Sequence, residues 1–319
     1  MSDAAQLAAK DDVDPDIRRF VDALNKGYGQ FENFGSLPLG ERRLAAEQVR
    51  APWRAGGPEM WSTVEHDRAG VRLRVHRPSA DDGMPAMLYI HGGGWTMFSI
   101  DTHDRLMREY AARAGIVVVG IDYSLSPEAK FPKALDEIVA AYDWLRAGGA
   151  GDGVDPARIA IGGDSAGANL SVAVALQLRG GGRAMPSALL LNYGAFDPRP
   201  SASYPLYGGP SYMLTGPEMD LFWSNYTDAP ADLENPLVAP IFADLNDLPP
   251  AFFAIAECDI LADCNRAMAA RMTEAGVKVD AREYGGATHS FLEAMSIAPL
   301  ASRAIDDAAG WLRALLVQD

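Results

Sequence analysis

A chain of 319 residues, 48% hydrophobic and 22% charged, can bury a sizeable core in one large domain or two small ones, as water-soluble globular proteins do. Its 28 basic and 43 acidic residues leave a net charge of −15, which repels phosphate backbones and anionic lipid surfaces and argues against nucleic acid or a membrane as partner. With no basic-then-apolar leader and no run of 18 uncharged apolar residues, the expectation is a soluble, cytoplasmic protein.

Residues 1 to about 50 carry polar, helix-prone stretches such as DIRRFVDALNKGYG without strand alternation, which predicts an appended helical arm. From residue 71 a different pattern recurs: VRLRVHRP, PAMLYIHGG, IVVVGIDYS, RIAIGGDSAG, ALLLNYGAF, AFFAIAECD and KVDAREYGG read as strands. Helical segments lie between most of them, including residues 102–115, 132–147 and 262–276. Alternation of this kind predicts an α/β fold with a mostly parallel sheet covered on both faces. One stretch, 198 to about 232, is rich in Pro, Gly, Tyr and Met and joins two strands that a shorter connection could have joined. A long irregular insertion in a compact domain reads as a lid. The two cysteines, Cys258 and Cys264, are too few for a disulfide scaffold or a cysteine-rich zinc site and are expected as reduced thiols.

The chemistry-bearing residues follow the same order. HGGG, residues 91–94, leaves a strand with three consecutive glycines, which suits either a tight turn or a loop whose amides face an anion. Gly163-Asp164-Ser165-Ala166-Gly167 then stands between a strand and the small-residue start of a helix. It is either a glycine-rich turn with an incidental serine or the G-x-S-x-G elbow, in which a sharp turn exposes the serine hydroxyl. A serine nucleophile needs a base, and of the five histidines (His66, His76, His91, His103 and His289) only His289 follows Ser165, as the serine, acid, base order requires. The acid is expected just after an intervening strand. Asp259 directly ends the AFFAIAEC run, while Asp263 also suits the start of the following helix. Asp259 is the better placed, and the two stay open. Backbone donors to a developing oxyanion are expected at Gly93, Gly94 and Ala166, with His91 anchoring the loop. Substrate contacts are expected from Trp95, Tyr193, Met213 and Phe222, although an aromatic at the position of Trp95 also suits plain packing.

Taken in order, HGGGW, GDSAG, AECDIL and THSF resemble the bacterial hormone-sensitive-lipase-like esterases of the α/β hydrolase fold, over most of the chain from about residue 60. GIDYSLSPEAKFP, residues 120–132, is similar to the family's D-Y-R-L-A-P-E segment, and YMLTGPEMDLFWSNY to its cap region. Three departures occur: Ser124 replaces the usual arginine, Ile260 the proline after the acid, and Ser290 the glycine after the histidine. The resemblance implies a cap made from the arm (1–50) and the insertion (198–232) over a hydrolase domain (51–319). It also implies a carboxylesterase that uses no cofactor and no metal on small-molecule, short-chain esters, and the bulk of Tyr204, Tyr207, Tyr212, Met213, Phe222 and Trp223 in the insertion narrows the expectation to acetyl to butyryl groups. An amidase or peptidase on the same triad, a ligand-binding protein of this fold, and a homodimer all remain open.

Overall fold

The computed structural model describes residues 12–151 and 153–317; the first eleven residues of the expected N-terminal arm lie outside the described residues. Eight strands form one sheet: β1 (Ser62–Arg68), β2 (Val71–Arg77), β3 (Met84–Ile90), β4 (Val117–Asp122), β5 (Val154–Asp164), β6 (Leu189–Asn192), β7 (Ala251–Cys258) and β8 (Val279–Thr288). Their spatial order is β1-β2-β4-β3-β5-β6-β7-β8, antiparallel at β1, β2 and β4 and parallel from β4 through β8. Strand β3 explains why the sheet is central. Every one of its residues is buried, and alternate side chains point to opposite faces. Leu88 and Ile90 join one apolar core, while Met87 and Tyr89 join the other.

Helices cover both faces, as the apolar strands demand. They are α1 (Pro15–Tyr28), α2 (Leu39–Arg50), α3 (Asp104–Ala114), α4 (Lys133–Arg146), α5 (Ala166–Gly180), α6 (Ser203–Tyr207), α7 (Gly216–Tyr226), α8 (Ala262–Glu274) and α9 (Pro299–Leu316). Helices α4, α5 and α8 bury side chains in the first core; α1, α3 and α9 bury theirs in the second. Helix α5 is enclosed on nearly all sides, which its run of Ala, Gly, Ser and Val permits.

Three local expectations change. Strand β1 has no apolar face, since most of STVEHDR is exposed, so no alternation marks it. It exists because the edge of β2 accepts it, from Ser62 opposite Arg77 to Arg68 opposite Val71. The run ALLLNYGAF leaves the sheet after Asn192, where Tyr193 adopts a positive φ of 36°. The insertion expected to be irregular holds helix α7, whose start is closed by a capping box between Thr215 and Glu218.

Candidate active site

Register brings the site together before any side chain is considered. Cys258 on β7 pairs with Thr288 on β8, so the next residue of each strand, Asp259 and His289, emerges side by side at the carboxyl edge. Ile90 pairs with Gly163, which sets the glycine loop after β3 beside the turn after β5. The carboxyl edge of an open parallel sheet is where ligands collect.

Ser165 sits at φ 53°, ψ −117°, a conformation costly for a residue with a side chain. Its own backbone holds it there: the Ser165 amide donates to Asn192 O at 2.9 Å, and its carbonyl accepts from Ala195 N at 3.2 Å. The flanking glycines are obligatory. A Cβ on Gly163 or Gly167 would stand 2.2 or 1.9 Å from the carbonyl oxygen of Ile90. His289 Nε2 lies 3.0 Å from Ser165 Oγ, and His289 Nδ1 lies 2.7 Å from Asp259 Oδ2. The other carboxylate oxygen of Asp259 accepts the Leu261 amide at 2.9 Å, so the group is held at both ends. All three side chains are buried. This tautomer, with Nδ1–H donated to Asp259, leaves Nε2 free to accept the serine proton. Asp263 is elsewhere: it accepts the Ser203 amide at 2.9 Å and pairs with Arg266 at 2.8 Å.

Gly93 and Gly94 both have positive φ, 115° and 58°. The carbonyl of Gly93 accepts the amides of Thr96 and Met97, which folds the loop into a tight turn. Among the described residues nothing accepts a hydrogen bond from the amides of Gly93, Gly94 or Ala166. His91 donates from Nδ1 to Gly92 O at 2.7 Å and stacks on Tyr123 at 4.4 Å. It anchors the loop.

Ser165 and His289 open into a cavity of about 510 Å³ whose walls include Gly93, Gly94, Trp95, Met213 and Phe222. Both the arm and the insertion contribute to it, through Tyr28 and Arg50 on one side and Met219 and Leu221 on the other. Phe222 lies over the glycine loop, where a Cβ on Gly94 would meet its ring at 2.3 Å. Trp95 also stacks on Tyr226 at 4.5 Å, so it packs as well as lines. Tyr193 lies behind His289 instead of along the cavity lining, meeting the His289 ring edge-on at 5.1 Å.

A family profile described as alpha/beta hydrolase fold matches residues 87–293. The fold is shared, at a TM-score of 0.90, with an ester hydrolase from the metagenome of Lake Arreo solved with a derivative of bipyridine phosphonate. That protein is 33% identical, over 96% of this chain and 100% of the other. The chain belongs to the hormone-sensitive-lipase-like esterases of the α/β hydrolase fold. This esterase is also similar to a hyperthermophilic esterase from the archaeon Pyrobaculum calidifontis, at 32% identity over 96% and 100% of the two chains, with a TM-score of 0.89. A thermostable esterase from Pseudomonas putida is 30% identical over 97% and 99%, with a TM-score of 0.86.

Several residues that shape the esterase's cavity carry no role in the sequence reading. His103 and Asp164 form a buried pair 3.4 Å apart, and Arg50 of α2 pairs with Glu293, four residues beyond His289. Asp164 lies inside the elbow motif and His103 is one of the five histidines, so both are legible in the sequence as residue types. Their meeting is not. Among the described residues no group of three or more His, Cys, Asp or Glu is gathered to hold a metal. Both cysteines are free and buried. No described helix is long and apolar enough to cross a membrane.

Proposed function

We propose that this esterase cleaves short-chain carboxylic esters through Ser165, His289 and Asp259. The observation that carries the reading is the continuous chain from Ser165 Oγ to His289 Nε2 and from His289 Nδ1 to Asp259. Ser165 Oγ attacks the ester carbonyl as His289 takes its proton, and Asp259 stabilises the imidazolium. The tetrahedral oxygen is received by the amides of Gly93, Gly94 and Ala166, whose directions are set before substrate arrives. His289 returns the proton to the departing alcohol, and a water repeats the sequence to release the acid. No step requires a cofactor.

The arm and the insertion act as one cap in this reading. Arg18 donates to Ser211 O at 2.6 Å and Asn25 to Pro210 O at 3.1 Å, joining them directly above the cavity. The cavity of about 510 Å³ accommodates both halves of a small ester, and the bulky apolar side chains of Phe222, Met213 and Leu221 that crowd its wall support acetyl to butyryl groups. The substrate is a small ester.

The test is a series of p-nitrophenyl esters of rising acyl length, run beside an amide analogue and a serine-directed phosphonate. Expected are a maximum at two to four acyl carbons, stoichiometric labelling of Ser165, and a folded but inactive Ser165→Ala protein. Labelling at another serine overturns the nucleophile. Activity that rises through twelve carbons overturns the short-chain assignment, and equal cleavage of the amide makes the enzyme an amidase as well.

A further inference from the structure

The residue before Ser165 is a buried carboxylate that walls the same cavity in which a negative oxygen must form. Left uncompensated, Asp164 opposes that charge at short range among buried side chains. Its surroundings do two things. Asp164 Oδ1 accepts Tyr89 Oη–H at 2.7 Å and the Gly92 amide at 3.2 Å, so this one carboxylate ties the turn before Ala166 to the loop bearing Gly93 and Gly94. Asp164 Oδ2 faces His103 Nε2 at 3.4 Å. The other nitrogen of that ring, Nδ1, faces the carbonyl oxygen of Ser99 at 3.2 Å. Two acceptors, one on each ring nitrogen, call for a proton on both, and only the imidazolium supplies two.

We propose that His103 is a positioning residue for the reaction: its imidazolium neutralises Asp164, and the pair holds the elbow and the glycine loop in register while keeping net negative charge away from the forming oxyanion. The proposal rests on the triad reading above. His103 is buried among a limited set of groups. Asp164 at the end of β5 favours its charge, as does Glu293 in the turn after His289, itself paired with Arg50 of α2. His91 in the glycine loop lies 5.6 Å away, centroid to centroid, and Tyr89 of β3 lies 6.4 Å away. Burial and the charge of His103 push His91 down to about 4, so it stays neutral and does not share the role. Burial works against the His103 charge, but Asp164, Glu293 and the Ser99 carbonyl together lift His103 to about 9. On its own turn, Asp101 and Asp104 are engaged by Arg72 and Arg74.

The experiment follows kcat and KM for ethyl butyrate, by acid release, from pH 6 to 10. It compares the wild type with His103→Gln, Asp164→Asn and the double variant, while phosphonate labelling of Ser165 is measured in each. The wild type is expected to lose kcat as pH passes about 9, where His103 gives up its proton, with KM little changed. In His103→Gln the buried Asp164 must hold a proton of its own, so the loss moves to lower pH and kcat at pH 8 falls about tenfold. Asp164→Asn keeps an acceptor for Tyr89 and Gly92 and removes the charge. It should lower kcat at pH 7 by less than His103→Gln lowers it at pH 8, and the decline near pH 9 should disappear. The double variant should recover most of what His103→Gln loses, which a purely structural role would not produce. The same alkaline profile in wild type and His103→Gln overturns the inference, as does a decline near pH 9 that persists in Asp164→Asn. If His103→Gln does not fold, the Asp164→Asn and double profiles decide. Failure of labelling at Ser165 in the wild type would instead overturn the triad.

Discussion

Gly167 has no room for even a methyl group, and the reason is the backbone rather than a side chain: Ile90 O occupies the place a Cβ would take. Gly167→Ala has to push helix α5 away from β3, and α5 begins at Ala166, one of the proposed oxyanion donors. We expect a stability loss of about 1–3 kcal/mol in urea unfolding and a kcat loss of at least about tenfold in the protein that folds. The two neighbouring carboxylates make a sharper comparison. Asp259→Asn places an amide beside His289 Nδ1 and disfavours the working tautomer, so kcat should fall by up to about 10⁴. Asp263→Asn loses the partly exposed ion pair with Arg266 and keeps an acceptor for the Ser203 amide, so it should leave kcat nearly intact. Steady-state kinetics on one short-chain ester settles the pair; a crippled Asp263 variant would reassign the acid.

Helix α2 is stapled to the loops around the active site by polar groups on its inner side. Arg43 donates to Thr96 O and Ser126 O at 2.7 Å each, and Glu47 accepts the Ser99 and Thr102 hydroxyls at 2.7 and 2.6 Å. Deeper in, Arg50 bonds Glu293 and lies over the ring of Phe98 at 4.8 Å. The cost of breaking such a buried pair lies mostly in the partner left behind. Arg50→Met should therefore destabilise by about 3–5 kcal/mol, whereas Arg50→Met with Glu293→Leu should cost clearly less. Urea midpoints of the two single variants and the double variant test this. Equal losses in single and double variants would mean that α2 is held by its apolar contacts instead.

The pH dependence of stability belongs to the molecule as a whole, because its groups lie on different elements. His103 is raised in the folded protein to about 9, against about 6.5 for an unfolded histidine, so its stabilisation is complete below about pH 6.5 and is lost as pH rises through about 9. Asp101 and Asp164 move the other way. Burial opposes their charge, but Arg72 and Arg74 around Asp101, and His103 and Tyr89 around Asp164, hold both below the usual carboxylate range. Their stabilisation is present above about pH 4 and declines as pH falls below it. Thermal unfolding should therefore show a maximum between about pH 5 and 6.5. The His103→Gln/Asp164→Asn double variant should flatten the alkaline side and lose the Asp164 share of the acid-side decline, leaving that of Asp101. A melting temperature that stays level from pH 6 to 10 in the wild type would remove His103 as a charged group.

Apolar runs alternating with helical segments were enough for an α/β fold, since strands such as β3 and β4 are apolar on both faces and a parallel sheet is the structure that buries them; the hydrolase fold came from the resemblance of the short motifs in their order. A local signal located Ser165 in a strand-to-helix elbow, and chain order singled out His289, the one histidine that follows Ser165. They were silent wherever a partner comes from far along the chain. Strand β1 lacks an apolar face and is specified by the edge of β2 that it pairs with. The choice between Asp259 and Asp263 turns on the pairing of Cys258 with Thr288, a matter of register between two strands separated by helix α8. His103 meets Asp164 across 61 residues and Arg50 meets Glu293 across 243, and neither separation leaves any pattern in the sequence around it. A buried charge is written into the sequence as a residue type; what compensates it is set by packing, since each ion is tolerable only where the folded chain brings its counterion.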